Sequence, residues 1–393
     1  MGDATGLTRQ GRLMAATALI QQALATPGGP GQGPDAPPSE GESGDAPRHF
    51  PAPVSARRAP ATPTRMYGSG SRRGVPFFPN RRAPGASHVD FAPRPPAPAT
   101  GRPAGRFGAF SYTNEAGTRA YWLYVPRGYT GGPAPLVVML HGGTQDATTF
   151  AAATGMNELA EREMVLVAYP EQPRSANAGQ YWNWFVPDHQ RRDAGEPSLI
   201  AGITRQVMDR HGVDASRVYV AGFSAGGAMA AVMAAVYPDL YAAVGVHSGL
   251  AYRSAVDVVS AFSAMKDGPP HRAGRPGHAL PMIVFHGDRD TVVSPINATH
   301  LINDVLAVGR RGTAPAPAAV SAGGRVPGGH RYTRTCYHYP SGEIRAECWT
   351  IHQGGHDWSG GQAHGSYTDP RGPDASAQLV RFFREHPAPA RNG

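Results

Sequence analysis

Cysteine is almost absent: Cys336 and Cys348 are the only two in 393 residues. A disulfide-stapled scaffold is thereby excluded, and so is a cysteine-rich metal module. The pair flanks YHYPSGEIRAE, in which Pro340, Ser341 and Gly342 read as a hairpin turn. The two sulfurs are therefore expected to face each other across adjacent strands, bridged in an oxidising compartment and reduced elsewhere. No apolar run approaches the about 18 residues of a membrane-spanning helix, so integral membrane association is not expected. The chain also lacks an internal repeat, a phosphate-cradling glycine loop, a base-reading motif, and any cluster of His, Cys or carboxylates at metal-ligand spacing. No nucleic-acid partner, metal or cofactor is expected.

Glycine and proline, by contrast, are plentiful, with 50 and 39 residues, and unevenly spread. From Thr26 to about Arg106 the chain is dominated by Pro, Gly, Ala and Arg, as in TPGGPGQGPDAPP and APRPPAPATGRPAGR, with neither helical nor strand periodicity. Such a segment buries too little apolar surface to offset its ordering entropy and reads as a disordered linker. The charge sits there too: residues 1–105 hold 12 Arg against 6 acidic residues, most of the chain's net +8. This basic arm is expected to be a solvated linker, with contact to an anionic surface or granule as the alternative. Residues 1–25 weakly imitate a signal peptide, but Leu7, Leu13, Ile20 and Leu24 fit a helical stripe, and an amphipathic helix is expected. A cytoplasmic location, with granule association as an option within it, is favoured over an extracellular one.

Residues 107–393 alternate short apolar runs with helical patterns. RAYWLYVP, PLVVMLH, MVLVAYP, RVYVAG, AAVGVHS and LPMIVFH read as strands, and the central ones are apolar throughout, the mark of strands covered on both faces. FAAATGMNELAERE, PSLIAGITRQVMDRHG, AGGAMAAVMAAVYP and SPINATHLINDVLA read as helices between them. The expected architecture is α/β, a mostly parallel sheet with helices on both faces.

G-x-S-x-G occurs as Gly222 to Gly226. In a glycine-rich chain the pattern alone is weak, yet it follows the strand RVYVAG directly and runs into a helix. That setting is the strand–turn–helix of a nucleophile elbow, with Ser224 lifted from the sheet and Gly222 and Gly226 admitting the tight turn. A helix-capping serine is the plain alternative. A serine nucleophile needs a base and the base a carboxylate, arriving in the chain order Ser, acid, His. LPMIVFHGDRDTVV presents Asp288 and Asp290 after a strand. Asp290 is expected to be the acid because the turn at Gly287 carries it back toward the serine, and Asp288 is the alternative. After the strand AECWTI, IHQGGHDWSGG places His356 in a glycine-rich loop as the expected base. His352 reads as structural, and His247 as a support for the nucleophile turn. Oxyanion donors are expected from the Ala225 amide and, in the HGG turn after PLVVMLH, from Gly143, with Thr144 as the alternative. Trp182 and Trp184 of YWNWF are expected either to wall an acyl pocket or to pack in the core.

With these residues placed, the chain from about Phe107 resembles the poly(3-hydroxybutyrate) depolymerase family of esterases, and also acetylxylan and feruloyl esterases. The similarity runs in order through LHGGTQDATTFAAATGMNELAERE, YPEQ, YWNWF, GEPSLIAGITRQVM, GFSAGGAMA, HGDRDTVV and GHDWSGG. The resemblance implies an α/β-hydrolase fold and a serine esterase with Ser224, Asp290 and His356 on the triad positions. It implies a polyester or small ester substrate, with hydroxyalkanoate esters first and plant-wall acetyl or feruloyl esters as the alternative. A non-catalytic granule or surface binder working through the linker is the reading from another class. Two departures stand out. Family members commonly carry a bridged cysteine pair where this chain has Gly143 and Tyr181, which implies a more mobile oxyanion loop here. Nothing resembles the separate domain with which secreted members grip solid polyester, which sets the expectation against crystalline polymer.

Overall fold

A computed structural model describes residues 105–269, 277–308, 318–339 and 342–389. The helix expected in residues 1–25 and the linker up to residue 104 lie outside the described residues. Strand β1 starts at Arg106, the last residue assigned to that linker. Every described residue belongs to one structural unit.

Ten strands form one sheet among the described residues, in the order β1-β2-β4-β3-β5-β6-β7-β10-β9-β8. Its centre is parallel: β3 (Ala134–Leu140), β4 (Leu166–Pro170), β5 (Val213–Phe223), β6 (Ala243–His247), β7 (Met282–Gly287) and β10 (Ile344–Ile351). Antiparallel strands flank it, β1 (Arg106–Asn114) and β2 (Gly117–Val125) at one edge, β8 (Ala318–Arg325) and β9 (Arg331–His338) at the other. The apolar runs explain the centre. Leu136, Val138 and Leu140 of β3 and Val218 and Val220 of β5 face one layer, while Val137, Met139, Tyr219 and Ala221 face the other. A strand buried on both faces needs apolar residues at every position.

The first layer is covered by α3 (Gly195–His211), α4 (Ala225–Val236), α5 (Val258–Asp267) and α6 (Ile296–Ala307), the second by α1 (Ala147–Thr154), α2 (Met156–Glu163) and α7 (Ala375–Glu385). The single helix expected over FAAATGMNELAERE is two. Gly155 adopts φ 61°, closing α1 and opening α2, and a Cβ there would meet Gln362 at 2.8 Å. Asp146 caps α1 and Asp257 caps α5, each through a reciprocal box with the residue three further on.

The cysteine expectation fails on register. In the β9–β10 ladder Cys336 stands opposite Glu347 while Cys348 stands opposite Thr335, one residue out of step. Side chains alternate faces along a strand, so the thiols point to opposite sides of the sheet and both are free. On the Cys336 side, buried Glu347 accepts from Arg334 on β9 at 2.6 Å and from Arg381 on α7 at 2.6 Å. Deleting both arginines would strand a buried charge, a loss on the order of 3–5 kcal/mol. This cluster anchors β10, the strand that leads to His356.

Candidate active site

The loops at the carboxyl ends of β3, β5, β7 and β10 converge, as expected at the end of an open parallel sheet. Ser224 lies between β5 and α4 with φ 53° and ψ −119°, a conformation costing a non-glycine residue about 1–3 kcal/mol. The turn is possible only with glycine on either side. A Cβ on Gly222 would stand 2.3 Å from the Gly226 carbonyl carbon, and one on Gly226 would stand 2.1 Å from the Leu140 carbonyl oxygen. The Ser224 amide donates to the His247 carbonyl at 2.9 Å, which ties the strained turn to β6.

His356 Nε2 is 2.9 Å from Ser224 Oγ, and its Nδ1 is 2.7 Å from Asp290 Oδ2. The other Asp290 oxygen accepts from the amides of Val292 at 2.9 Å and Val293 at 2.8 Å. Burial alone would raise the Asp290 carboxyl, but the hydrogen bonds with His286 and His356 outweigh it and hold the group well below the usual carboxylate range. It is therefore an anion that stays put. Such an arrangement can take a proton from a hydroxyl and keep the resulting imidazolium oriented.

Asp288 goes elsewhere: it accepts from the His352 ring at 2.9 Å and the Gln353 amide at 2.7 Å. His247 is buried, and burial together with His286 and His356 pushes its imidazole well below the ordinary value. Its Nε2 accepts from the Ser359 amide at 3.0 Å and its ring stacks on Trp358.

Of the two candidate amides after β3, that of Thr144 donates to the Gly179 carbonyl at 2.7 Å and is already used. The Gly143 amide has no hydrogen-bond partner among the described residues, and Ala225 is the first residue of α4, where no intrahelical acceptor exists. Both residues line a cavity of about 120 Å³ that also contains Ser224 and His356. The rest of its wall is mostly apolar, including Phe185, Leu250, Val258, Ala261, Met265 and Val292, with Tyr181 and Tyr367 beside them. Trp184 lines it too. Trp182 does not: it is fully buried beside His141, 5.6 Å between ring centres, so the binding role expected for it is corrected to core packing under the HGG turn.

Sequence reasoning missed the residues that hold this turn. His141 is buried and neutral, pushed down to about 4 by burial. Its Nδ1 donates to the Gly142 carbonyl at 2.7 Å and its Nε2 accepts from the Gln172 amide at 3.0 Å. Helix α5, which supplies four cavity residues, was not expected either, though the Asp257-x-x-Ser260 box was there to be read. No cluster of three potential metal ligands occurs among the described residues, and no helix among them is long and apolar enough to cross a membrane.

Fold and site together define the α/β-hydrolase class, with a serine, a histidine and an aspartate joined by hydrogen bonds at the carboxyl ends of the strands. A family model for esterase PHB depolymerases matches residues 119–325, and the chain belongs to that family. Poly(3-hydroxyalkanoate) depolymerase C of Paucimonas lemoignei is 34% identical over 204 residues, 49% of this chain and 49% of that protein. Feruloyl esterase B of Thermothelomyces thermophilus is 32% identical over 192 residues, 44% of this chain and 65% of that protein. Acetylxylan esterase A of Emericella nidulans is 31% identical over 194 residues, 45% of this chain and 63% of that protein. The matches thus span about half to two thirds of these relatives' lengths. The solved acetyl xylan esterase from Aspergillus awamori superposes with a TM-score of 0.53 at 20% identity, over 71% of this chain and 99% of that one, which speaks for the fold.

Proposed function

We propose that Ser224, His356 and Asp290 hydrolyse esters of short-chain hydroxyalkanoates, as polymer or oligomer, through an acyl-enzyme. The observation that carries the reading is the unbroken run of hydrogen bonds from Ser224 Oγ through His356 to buried Asp290, at the floor of an apolar cavity. Ser224 Oγ attacks the ester carbonyl while His356 Nε2 takes its proton, and the oxyanion is met by the amides of Gly143 and Ala225. Collapse expels the alcohol, protonated by His356. Water then attacks the acyl-enzyme with His356 again as base, releasing the acid and restoring Ser224.

A mostly apolar wall without a carboxylate, lysine or arginine side chain suits a small, neutral acyl group. The relatives named as acetylxylan and feruloyl esterases support a second reading, in which the acyl group is acetyl or feruloyl on a carbohydrate. A release assay with amorphous poly(3-hydroxybutyrate), its soluble oligomers, and acetyl and feruloyl esters separates the two. Preference for the sugar esters overturns the first reading. Hydrolysis of p-nitrophenyl butyrate by a Ser224→Ala protein overturns the mechanism.

A further inference from the structure

The segment after β4 meets the turn after β3 at three points. The Gln172 amide donates to His141 Nε2, the Thr144 amide donates to the Gly179 carbonyl, and the ring of Tyr181 stands against Gly143. The third contact is the tightest. A Cβ built on Gly143 would lie 1.9 Å from Tyr181 Cε1 and 2.3 Å from Cδ1, so the tyrosine ring fills the volume that a side chain at 143 would need.

The backbone that carries the ring is held in place. The Tyr181 carbonyl accepts from Gln172 Nε2 at 3.0 Å, and that same nitrogen donates to Glu196 at 2.5 Å. Two residues on, Asn183 donates to Glu196 through its amide at 2.7 Å and its side chain at 2.6 Å. Glu196 is buried in α3. Burial alone would raise its carboxyl, but hydrogen bonds with His189, Asn183 and Gln172 outweigh that and lower it, so it persists as the anion around which the segment is folded. Trp182, buried between Tyr181 and Asn183, fixes the backbone from the core side. The Tyr181 hydroxyl itself makes no hydrogen bond among the described residues, so the ring acts by occupying space.

We infer that Tyr181 is a positioning residue for ester hydrolysis: its ring is the wall that holds the Gly143 amide at the oxyanion, and residue 143 is glycine because that ring occupies its Cβ volume. The inference rests on the reading of Gly143 as an oxyanion donor to the Ser224 reaction. An amide displaced by about 1 Å loses most of its value in the transition state and little of its value in the ground state. Tyr181→Ala should therefore lower kcat for p-nitrophenyl butyrate by about 100-fold with KM changed only a few-fold, per active site titrated with a fluorophosphonate.

A trifluoromethyl ketone, whose tetrahedral adduct puts an oxyanion where the donors converge, should lose affinity for Tyr181→Ala by a similar factor. Tyr181→Phe should restore most of kcat. Gly143→Ala should be severely impaired, and the double variant Gly143→Ala/Tyr181→Ala no worse than Tyr181→Ala alone, because the clash is then gone. Should Tyr181→Ala fail to fold, Tyr181→Leu is read in the same way. The proposal is overturned by unchanged kcat in the ring-less variant, by Tyr181→Phe as poor as Tyr181→Ala, or by additive losses in the double variant. Ser224→Ala is assayed alongside. Residual activity there overturns the nucleophile assignment, whereas an inactive Ser224→Ala with an unimpaired Tyr181→Ala overturns the role of Tyr181 alone.

Discussion

Two aspartate–histidine pairs stand side by side at the end of β7. Asp288 pairs with His352 and Asp290 with His356, at 2.9 and 2.7 Å, from positions two residues apart on one loop and four apart on the other. Their chemistry is the same and their surroundings are not. In the outer pair the side chains are 34% and 38% exposed, whereas in the inner pair Asp290 is fully buried and His356 is 10% exposed. The outer imidazole spends its second nitrogen on Thr333, and the inner one on Ser224. Enclosure and the third partner, more than the pairing itself, separate a surface hydrogen-bonded pair from a group that can run acyl transfer.

The sharpest way to break this comparison is at the histidines. His356→Ala should reduce kcat on the order of 10⁶-fold, as loss of the base does in serine hydrolases generally, while His352→Ala should stay within a few-fold. Comparable losses in the two would erase the distinction. Asp290→Asn comes next, with a loss on the order of 10⁴-fold in kcat, since the imidazole then lacks the anion that fixes its tautomer. If Asp288→Asn were the more damaging of the two, the acid would have to be reassigned.

A third test uses stability and pH. The folded Asp290 carboxyl is depressed, so it contributes stability that is fully present above its unfolded pKa of about 3.9 and is lost as pH falls through the folded value below that. The stability difference between the native protein and Asp290→Asn, followed by urea unfolding, should therefore be largest above about pH 5 and narrow below about pH 4. A gap that widens on acidification would contradict the depressed carboxyl. The smallest effect is expected for Asp288→Asn, with kcat within about threefold and stability changed by about 0–1 kcal/mol, because an exposed pair is screened by water.

How far the sequence could be read follows the same divide between buried and exposed. Strands β3 to β7 were legible because strands covered on both faces must be apolar throughout. The edge strands β1 and β8, largely exposed, carry no such signature, and β8 is mostly alanine and glycine. Helix α7 went unread although Asp374 caps it and Leu379, Phe382 and Phe383 bury one side. At the site, Ser224 was readable from its own turn. Choosing Asp290 over Asp288 took an argument about where a turn at Gly287 would aim the chain, and the two tryptophans of YWNWF could not be told apart without the fold.

The sequence by itself determined the alternation of strand and helix, the glycine-flanked turn at Ser224 and the order serine, acid, histidine, because each is written in local spacing and in the steric needs of a few neighbours. Only the tertiary structure decided which Asp–His pair is enclosed, that Cys336 and Cys348 stand on opposite faces of the sheet, and that Tyr181 fills the space beside Gly143. Register, enclosure and close approach between segments 38 or 66 residues apart depend on how distant parts of the chain pack. No local pattern encodes them.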